Sequence, residues 1–330
     1  MKVLVLGGAG YIGSHTVYAL LEQGYDVAVV DNLLTGHRAA VHPDARFYQG
    51  DVRDRAFLME TLQREAPDAA IHFAANSLVG ESMQHPMKYY DNNVGGTCTL
   101  LSALIEQGLK RIVFSSSAAV YGEPERIPIR ETDRTMPTNP YGETKLAMER
   151  MFHWANVAHG VKYVSLRYFN ACGAHASGCI GEAHAPETHL IPLVLQVPNG
   201  QRPMVRIFGT DYDTRDGTCV RDYIHVTDLA QAHILAVDYL AAGGKSDVLN
   251  LGNGVGFTVR EIIHAAERVT GETIATENAP RRAGDPAQLV ASGSRAREVL
   301  GWEPQYTEVE EIIASAWRWH STHPDGFGDA

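Results

Sequence analysis

Tyr141 and Lys145 stand four residues apart in Pro140-Tyr141-Gly142-Glu143-Thr144-Lys145. On a helix that spacing sets both side chains on one face, within reach of each other. The chemistry such a pair offers is a phenol acting as a base near neutral pH. A free tyrosine titrates at about pH 10, and lowering that by roughly three units means stabilising the phenolate by about 4 kcal/mol. One positive charge at about 4 Å, with an effective dielectric near 20, supplies about that much. On this reckoning Lys145 alone nearly suffices, and a cationic cofactor would add to it. The same spacing also occurs in ordinary exposed helical turns, so its weight depends on what the chain places beside it. Ser117, at the end of Phe114-Ser115-Ser116-Ser117, is a hydroxyl that could hold a substrate oxygen next to the phenol.

The elements that must position this pair can be read in order. Asn139 is a suitable N-cap and Pro140 suits the first helical position, so the Tyr141 helix starts there. Met148, Met151, Phe152 and Ala155 continue it with an apolar face at 3.6 spacing and read as core. At the N-terminus, a short apolar strand over residues 2–6 runs into Gly7-Gly8-Ala9-Gly10-Tyr11-Ile12-Gly13, and a helix is predicted over 14–22. Glycines there permit a tight turn and close backbone approach, and the helix N-terminus offers N–H groups to a diphosphate. A second strand over 26–30 ends in Asp31, whose carboxylate can accept hydrogen bonds from ribose hydroxyls and repel a 2′-phosphate. This favours NAD over NADP. Asp51 and Val52 follow another strand end and could meet an adenine edge and face. The strand over 69–73 closes in Phe73-Ala74-Ala75, small residues that leave room for a flat cofactor.

A helix over 93–106 and strands over 111–114 and 164–168 complete an alternation that predicts an α/β, Rossmann-type doubly wound parallel sheet. Ligands then gather beyond the strand C-termini. After Asn170 the chain becomes rich in Gly, Ala and His with little periodicity, which marks a boundary: residues 1–170 form the first lobe and 171–330 a smaller α/β substrate lobe. A helix over 227–240 and a strand over 248–251 read as returning to the first lobe, so part of 225–252 belongs there and the second lobe is discontinuous. His175, His184 and His189 have spacings that fit no helix or hairpin ligand pair, so no metal is expected. Arg221, Arg281 and Arg282 are loop arginines suited to clamping a phosphate. The helix over 308–319 reads as a lobe helix or a subunit contact.

Composition narrows the classes. With 28 Lys and Arg against 39 Asp and Glu, the net charge of the 330 residues is −11, which does not favour nonspecific nucleic-acid binding. No apolar run approaches the roughly 18 residues of a membrane span, and the N-terminus does not read as a signal peptide. Four cysteines without zinc-finger spacing fit a reduced, cytoplasmic setting.

Together, the glycine loop, the Ser115-Ser116-Ser117 strand end, Tyr141 and Lys145 resemble the extended short-chain dehydrogenase/reductase family. Tyr89-Tyr90-Asp91-Asn92-Asn93-Val94, Val120-Tyr121-Gly122, Leu166-Arg167-Tyr168-Phe169-Asn170 and Val220-Arg221-Asp222-Tyr223-Ile224-His225-Val226 extend the resemblance over nearly the whole chain, toward members that invert C4 of UDP-hexoses. The resemblance implies bound NAD, held by Gly7, Gly10, Tyr11, Ile12, Gly13, Asp31, Asn32, Asp51, Val52, Phe73, Ala74, Ala75, Asn92, Ser115, Tyr141, Lys145 and Tyr168. It implies Tyr141 as acid and base, Lys145 orienting the nicotinamide ribose and lowering the Tyr141 pKa, and Ser117 on the same sugar oxygen. It implies Asn170, Arg221 and Arg282 on the substrate diphosphate, Leu190 and Phe208 at the nucleotide, Asp285 at its ribose and Leu289 on the sugar-pocket wall. A homodimer is implied too. Ser77 stands where many members carry a lysine toward the cofactor diphosphate.

The expected reaction is interconversion of UDP-galactose and UDP-glucose. The alternatives are 4-epimerisation of another UDP-sugar (N-acetylated, glucuronate or pentose) and, outside enzymes, an NAD-binding regulatory module, which would be expected to lack Tyr141 or Lys145. A 4,6-dehydratase needs an acid and a base just after Ser117, and Ala118-Ala119 cannot transfer protons.

Overall fold

The computed structural model describes residues 1–282 and 285–328. In the first half, β1 (Lys2–Leu6) leads into α1 (Tyr11–Glu22), followed by β2 (Asp26–Asp31), β3 (Arg46–Gln49), α2 (Arg55–Glu65) and β4 (Ala69–His72). Two short helices, α3 (Val79–Gln84) and α4 (Pro86–Tyr89), run through a π-helical turn over Tyr90–Gly95 into α5 (Gly96–Glu106). Then come β5 (Arg111–Ser115), α6 (Pro140–His159) and β6 (Lys162–Arg167). The second half is more broken. It contains β7 (Asn170–Cys172), α7 (Leu190–Leu195), β8 (Val205–Phe208), β9 (Val220–Arg221), β10 (Tyr223–His225), α8 (Val226–Ala241) and β11 (Asp247–Asn250). It ends with β12 (Phe257–Thr258), α9 (Val259–Thr270), β13 (Thr276–Ala279), β14 (Gln288–Leu289), α10 (Ser294–Leu300) and α11 (Val309–Thr322).

Seven strands form one parallel sheet in the order β11-β6-β5-β4-β1-β2-β3. Their near-continuous apolar runs follow from burial on both faces. In β1, Val3 and Val5 join Val17 and Leu20 of α1 and Leu229 and Val237 of α8 on one face. Leu4 and Leu6 join Leu58 of α2, Leu100 of α5 and Phe152 of α6 on the other. The strand order reverses at β1, which has β2 on one side and β4 on the other, and this opens a crevice at the strand C-termini.

The sheet includes an edge from late in the chain: β11 pairs with β6, and α8 packs along α1. Between and after these segments a third apolar cluster forms, with Ile191, Val194, Ile263 and Ile312 among its members. There α11 packs on α9, so the face carrying Ile312, Ile313 and Trp319 is interior. Thr258 and Glu261 start α9 with a reciprocal capping box, a signal not used in the sequence reading. The helix predicted over 93–106 differs in kind at its start. Its first turn is π-helical, and Asn93, fully buried there, takes hydrogen bonds outside its own helix. Among the described residues no helix is long and apolar enough to cross a membrane.

Candidate functional site

A cleft of about 1160 Å³ opens at the crevice, walled by the glycine loop, the ends of β2, β4 and β5, the start of α6 and segments of the smaller lobe. The site begins with α6. Asn139 caps it, its side-chain oxygen accepting from Gly142 N at 2.9 Å, and Pro140 occupies the first turn. A Cβ on Gly142 would lie 2.6 Å from Ala119 O, so the helix start sits hard against the turn after Ser117. That contact brings Ser117 and Tyr141 together. Ser117 Oγ accepts from Ala119 N at 3.1 Å, which leaves its proton for the phenol.

The electrostatics differ from the simple reckoning with Lys145 alone. Tyr141 is raised above its ordinary value, because burial outweighs the Ser117 hydrogen bond. Lys145 is lowered to about 7 by burial, against the pull of Glu149 one turn along. Its Nζ donates to Ser115 O at 2.8 Å and lies 5.9 Å from the Tyr141 ring centroid. Burial thus opposes the charged form of both groups, so the Lys145 charge is not the only influence on the phenol.

Glu149 belongs to a buried network. It accepts from Arg167 Nε at 2.8 Å, from Arg167 Nη2 at 2.5 Å and from Ser116 Oγ at 2.6 Å. Arg167 also donates to Tyr121 Oη at 2.8 Å. This ties α6 to the ends of β5 and β6, beside Ser115 and Ser117. Tyr168 shares a 2.5 Å hydrogen bond with Ser115 Oγ. Asn93 is a second tie: it accepts from Asn76 N at 2.8 Å and donates to Thr144 Oγ1 at 3.0 Å, joining the loop after β4 to α6. Neither network was found in the sequence reading. Glu149 continues the four-residue spacing of Tyr141 and Lys145, and Asn93 adjoins Asn92; those were the available signals.

The glycine loop fits a diphosphate. Gly7 has φ +81°, and a Cβ there would meet Ala74 N at 2.5 Å. A Cβ on Gly13 would lie 2.1 Å from Gly7 O. By contrast, one on Gly10 has a single neighbour within 4 Å, Gly7 O at 3.5 Å, so that side is open. Gly10 N-caps α1 without a side chain, and the first turn has no acidic residue to occupy the N–H groups. Asp31 is buried at the end of β2, its two oxygens accepting from Ala9 N at 2.9 Å and Leu33 N at 2.8 Å. Burial raises its pKa while these N–H groups oppose the rise. This loop-and-carboxylate cradle fits a dinucleotide.

Most residues proposed for the site line the cleft: Tyr11, Ile12, Asn32, Val52, Phe73, Ala74, Ala75 and Asn92 toward the sheet, and Asn170, Arg221, Arg282, Asp285 and Leu289 toward the lobe. Arg221 is paired with Asp285. Three do not line it. Asp51 turns to Arg53, with N to Oδ1 at 2.9 Å, and to Asn32 Nδ2 at 2.9 Å. Phe208 stands behind Arg282, whose guanidinium carbon lies 4.0 Å over its ring. Leu190 packs into the lobe core, and Leu193, one helical turn on, faces the cleft instead. Arg281 is tied to Asp211 at 2.7 Å and lies over Tyr212, outside the cleft. Of the three histidines, His184 and His189 line the cleft, both ring Nδ1 atoms facing Glu182 Oε1, while His175 sits 3.5 Å from Glu22.

Comparison with known proteins agrees with this geometry. Residues 3–252 match the model of the NAD dependent epimerase/dehydratase family. The chain is 59% identical over 329 residues to a UDP-glucose 4-epimerase of Lacticaseibacillus casei, covering 100% of this chain and 99% of that one. A crystal structure of a UDP-glucose 4-epimerase superposes with a TM-score of 0.98 at 54% identity, covering 100% of both chains. That of a UDP-glucose 4-epimerase from Brucella ovis in complex with NAD gives 0.95 at 49% identity, covering 97% of this chain and 98% of that one.

Proposed function

The chain belongs to the NAD dependent epimerase/dehydratase family, and from that premise we propose how its own residues carry the reaction. It interconverts UDP-galactose and UDP-glucose and depends on NAD. NAD would be held by the glycine loop and Asp31 and would supply a reversible hydride acceptor for sugar C4.

Tyr141 removes the proton of the sugar 4-hydroxyl as hydride leaves, and gives it back after the 4-keto sugar has turned over. Ser117 hydrogen-bonds the same oxygen and keeps it beside the phenol. Lys145, anchored on Ser115 O, orients the nicotinamide ribose. Asn170, Arg221 and Arg282 grip the diphosphate, with Asp285 released from Arg221 toward the nucleotide ribose. The sugar itself must be held loosely, since turning is part of the cycle; firm binding belongs on the invariant UDP portion.

The observation that carries this reading is that Tyr141, Ser117 and Lys145 line the same cleft as the open glycine loop and Arg221 and Arg282. Ala118 and Ala119, which line the cleft next to Ser117, offer no proton-transfer group for a dehydratase. The test is incubation with UDP-galactose without added NAD, followed by chromatography of the nucleotide sugars. UDP-glucose should appear, and Tyr141→Phe should keep NAD and UDP binding while turnover falls by orders of magnitude. Near-normal turnover in that variant would remove Tyr141 from the role.

A homodimer and a cytoplasmic location are part of the same proposal. Trp154 and Val157, three positions apart on α6, are 65% and 62% exposed, an apolar pair suited to a second copy. Sedimentation at the monomer mass would reject the dimer. The four cysteines are all free thiols, which suits a reducing compartment.

A further inference from the structure

Eight residues before α7, at Glu182, the chain begins a strap across the glycine-loop end of the cleft. Glu182, 3% exposed, is its anchor: Trp319 Nε1 donates to its backbone oxygen at 3.0 Å, and His184 Nδ1 lies 3.1 Å from Oε1. His189 Nδ1 makes a second contact with the same oxygen. The neighbouring Ala183 O receives His37 Nε2 at 2.8 Å. A small secondary hollow beside the main cleft is lined by Gly10, Tyr11 and His184, and all three also line the main cleft. The His184 ring stands edge-on to Tyr11, centroids 6.1 Å apart. Tyr11 is fixed by donating to Gly173 O at 2.6 Å.

A dinucleotide brings a diphosphate to the open N-terminus of α1, yet among the described residues no lysine or arginine lines that secondary hollow. Among the described residues, the lysine and arginines that line the main cleft are Lys145, Arg221 and Arg282. Lys145 is tied to Ser115 and Arg221 to Asp285. An imidazole whose Nδ1–H donates to a carboxylate turns its Nε2 edge the other way, and Nε2 is a donor in the doubly protonated ring that the carboxylate stabilises.

Resting on the NAD reading, we propose that His184 is a cofactor-diphosphate contact and Glu182 its positioning residue: the buried carboxylate holds the imidazole so that Nε2–H is donated to the diphosphate at the glycine loop. The groups facing His184 are Tyr11 from α1, and Glu182, Glu187 and His189 from the strap itself. The two carboxylates raise His184 to about 10 against the effect of burial, so it carries its proton throughout the neutral range. His320 from α11 and His15 from α1 lie within electrostatic range of Glu182 and are both lowered by burial, so they compete little for its charge.

The experiment measures release of NAD from the purified protein, and UDP affinity beside it, for wild type, His184→Gln, His184→Lys and Glu182→Gln. Loss of one charge-assisted hydrogen bond predicts about ten- to hundredfold faster NAD release in His184→Gln, with UDP affinity unchanged. His184→Lys should recover most of the retention, which a packing role would not allow. In Glu182→Gln, NAD affinity should fall as pH rises through the ordinary imidazole range near about 6.5, while wild type stays flat there. Wild-type retention in His184→Gln overturns the proposal. So does equal loss of NAD and UDP, which would mean a collapsed strap. If wild type neither holds nor takes up NAD, the NAD reading itself fails, a result distinct from both.

Discussion

Asp31→Asn tests how the cleft chooses its cofactor. The carboxylate accepts from two backbone N–H groups, Ala9 and Leu33, one on each oxygen, and each oxygen keeps a lone pair for a ribose hydroxyl. Asparagine has the same shape without the charge. It can match only one of the two N–H groups, because its amide nitrogen faces the other, and a buried mismatch of that kind costs about 1–3 kcal/mol of stability. Charge-assisted hydrogen bonds contribute about 1.5–3 kcal/mol, so NAD should bind roughly ten- to hundredfold more weakly. A 2′-phosphate placed about 4 Å from the wild-type carboxylate is repelled by about 4 kcal/mol at an effective dielectric near 20. Removing that charge should relax discrimination against NADP by up to about a thousandfold. The assay is the ratio of NAD to NADP dissociation constants, which is insensitive to a modest loss of fold stability. A folded Asp31→Asn protein with the wild-type ratio would refute the assignment of selectivity to this carboxylate.

Three further outcomes are expected. Glu149→Gln or Arg167→Met alone should each destabilise by about 3–5 kcal/mol in denaturant titration, since each strands a buried charge, while a paired apolar replacement should cost less than the sum; additive losses would show that the two do not act as a unit. Asp222 is pushed up to about 6 by burial, against hydrogen bonds from Asn253 N and Ala291 N. Its folded value lies above the unfolded one, so its stabilisation is full below about pH 4 and lost as pH rises through about 6; Asp222→Asn should remove that slope, and an unchanged stability–pH curve would contradict it. Leu289→Ala, which widens the cleft wall, should raise turnover of N-acetylated UDP-sugars relative to plain hexoses, and unchanged relative rates would dismiss Leu289 as a gate.

What could be read from the sequence was local. The Asn139-Pro140 start of α6 is a contact between neighbours in sequence, as are the strand, glycine loop and helix around Gly7 and Gly13. Asp31 was legible because a strand end two elements on is held by the fold class itself. What was missed is long-range or depends on burial. Asn93 reaches Thr144 across 51 residues and Glu149 reaches Arg167 across 18, and no spacing rule pairs them. The charge of Lys145 is legible in the sequence but its burial is not, and desolvation opposes the charged form of both Lys145 and Tyr141. Leu190 and Leu193 lie one turn apart on the same side of α7, and which of the two reaches the cleft depends on how the helix is seated in the tertiary fold. The spacing of His184 and His189 does not by itself show that Glu182 lies beneath both rings.

The edge strand β11 and the helix α8 also bear on how such enzymes can be recombined. Residues 226–250 lie downstream of the lobe boundary but are neighbours of β6 and α1. A chimera with a single crossover after Asn170 would give this stretch one parent and its packing partners another, mismatching a parallel strand pair and a helix–helix seam at once. Exchanging substrate specificity between two parents therefore calls for two grafts, one on each side of 226–250, with that stretch left with its original sheet.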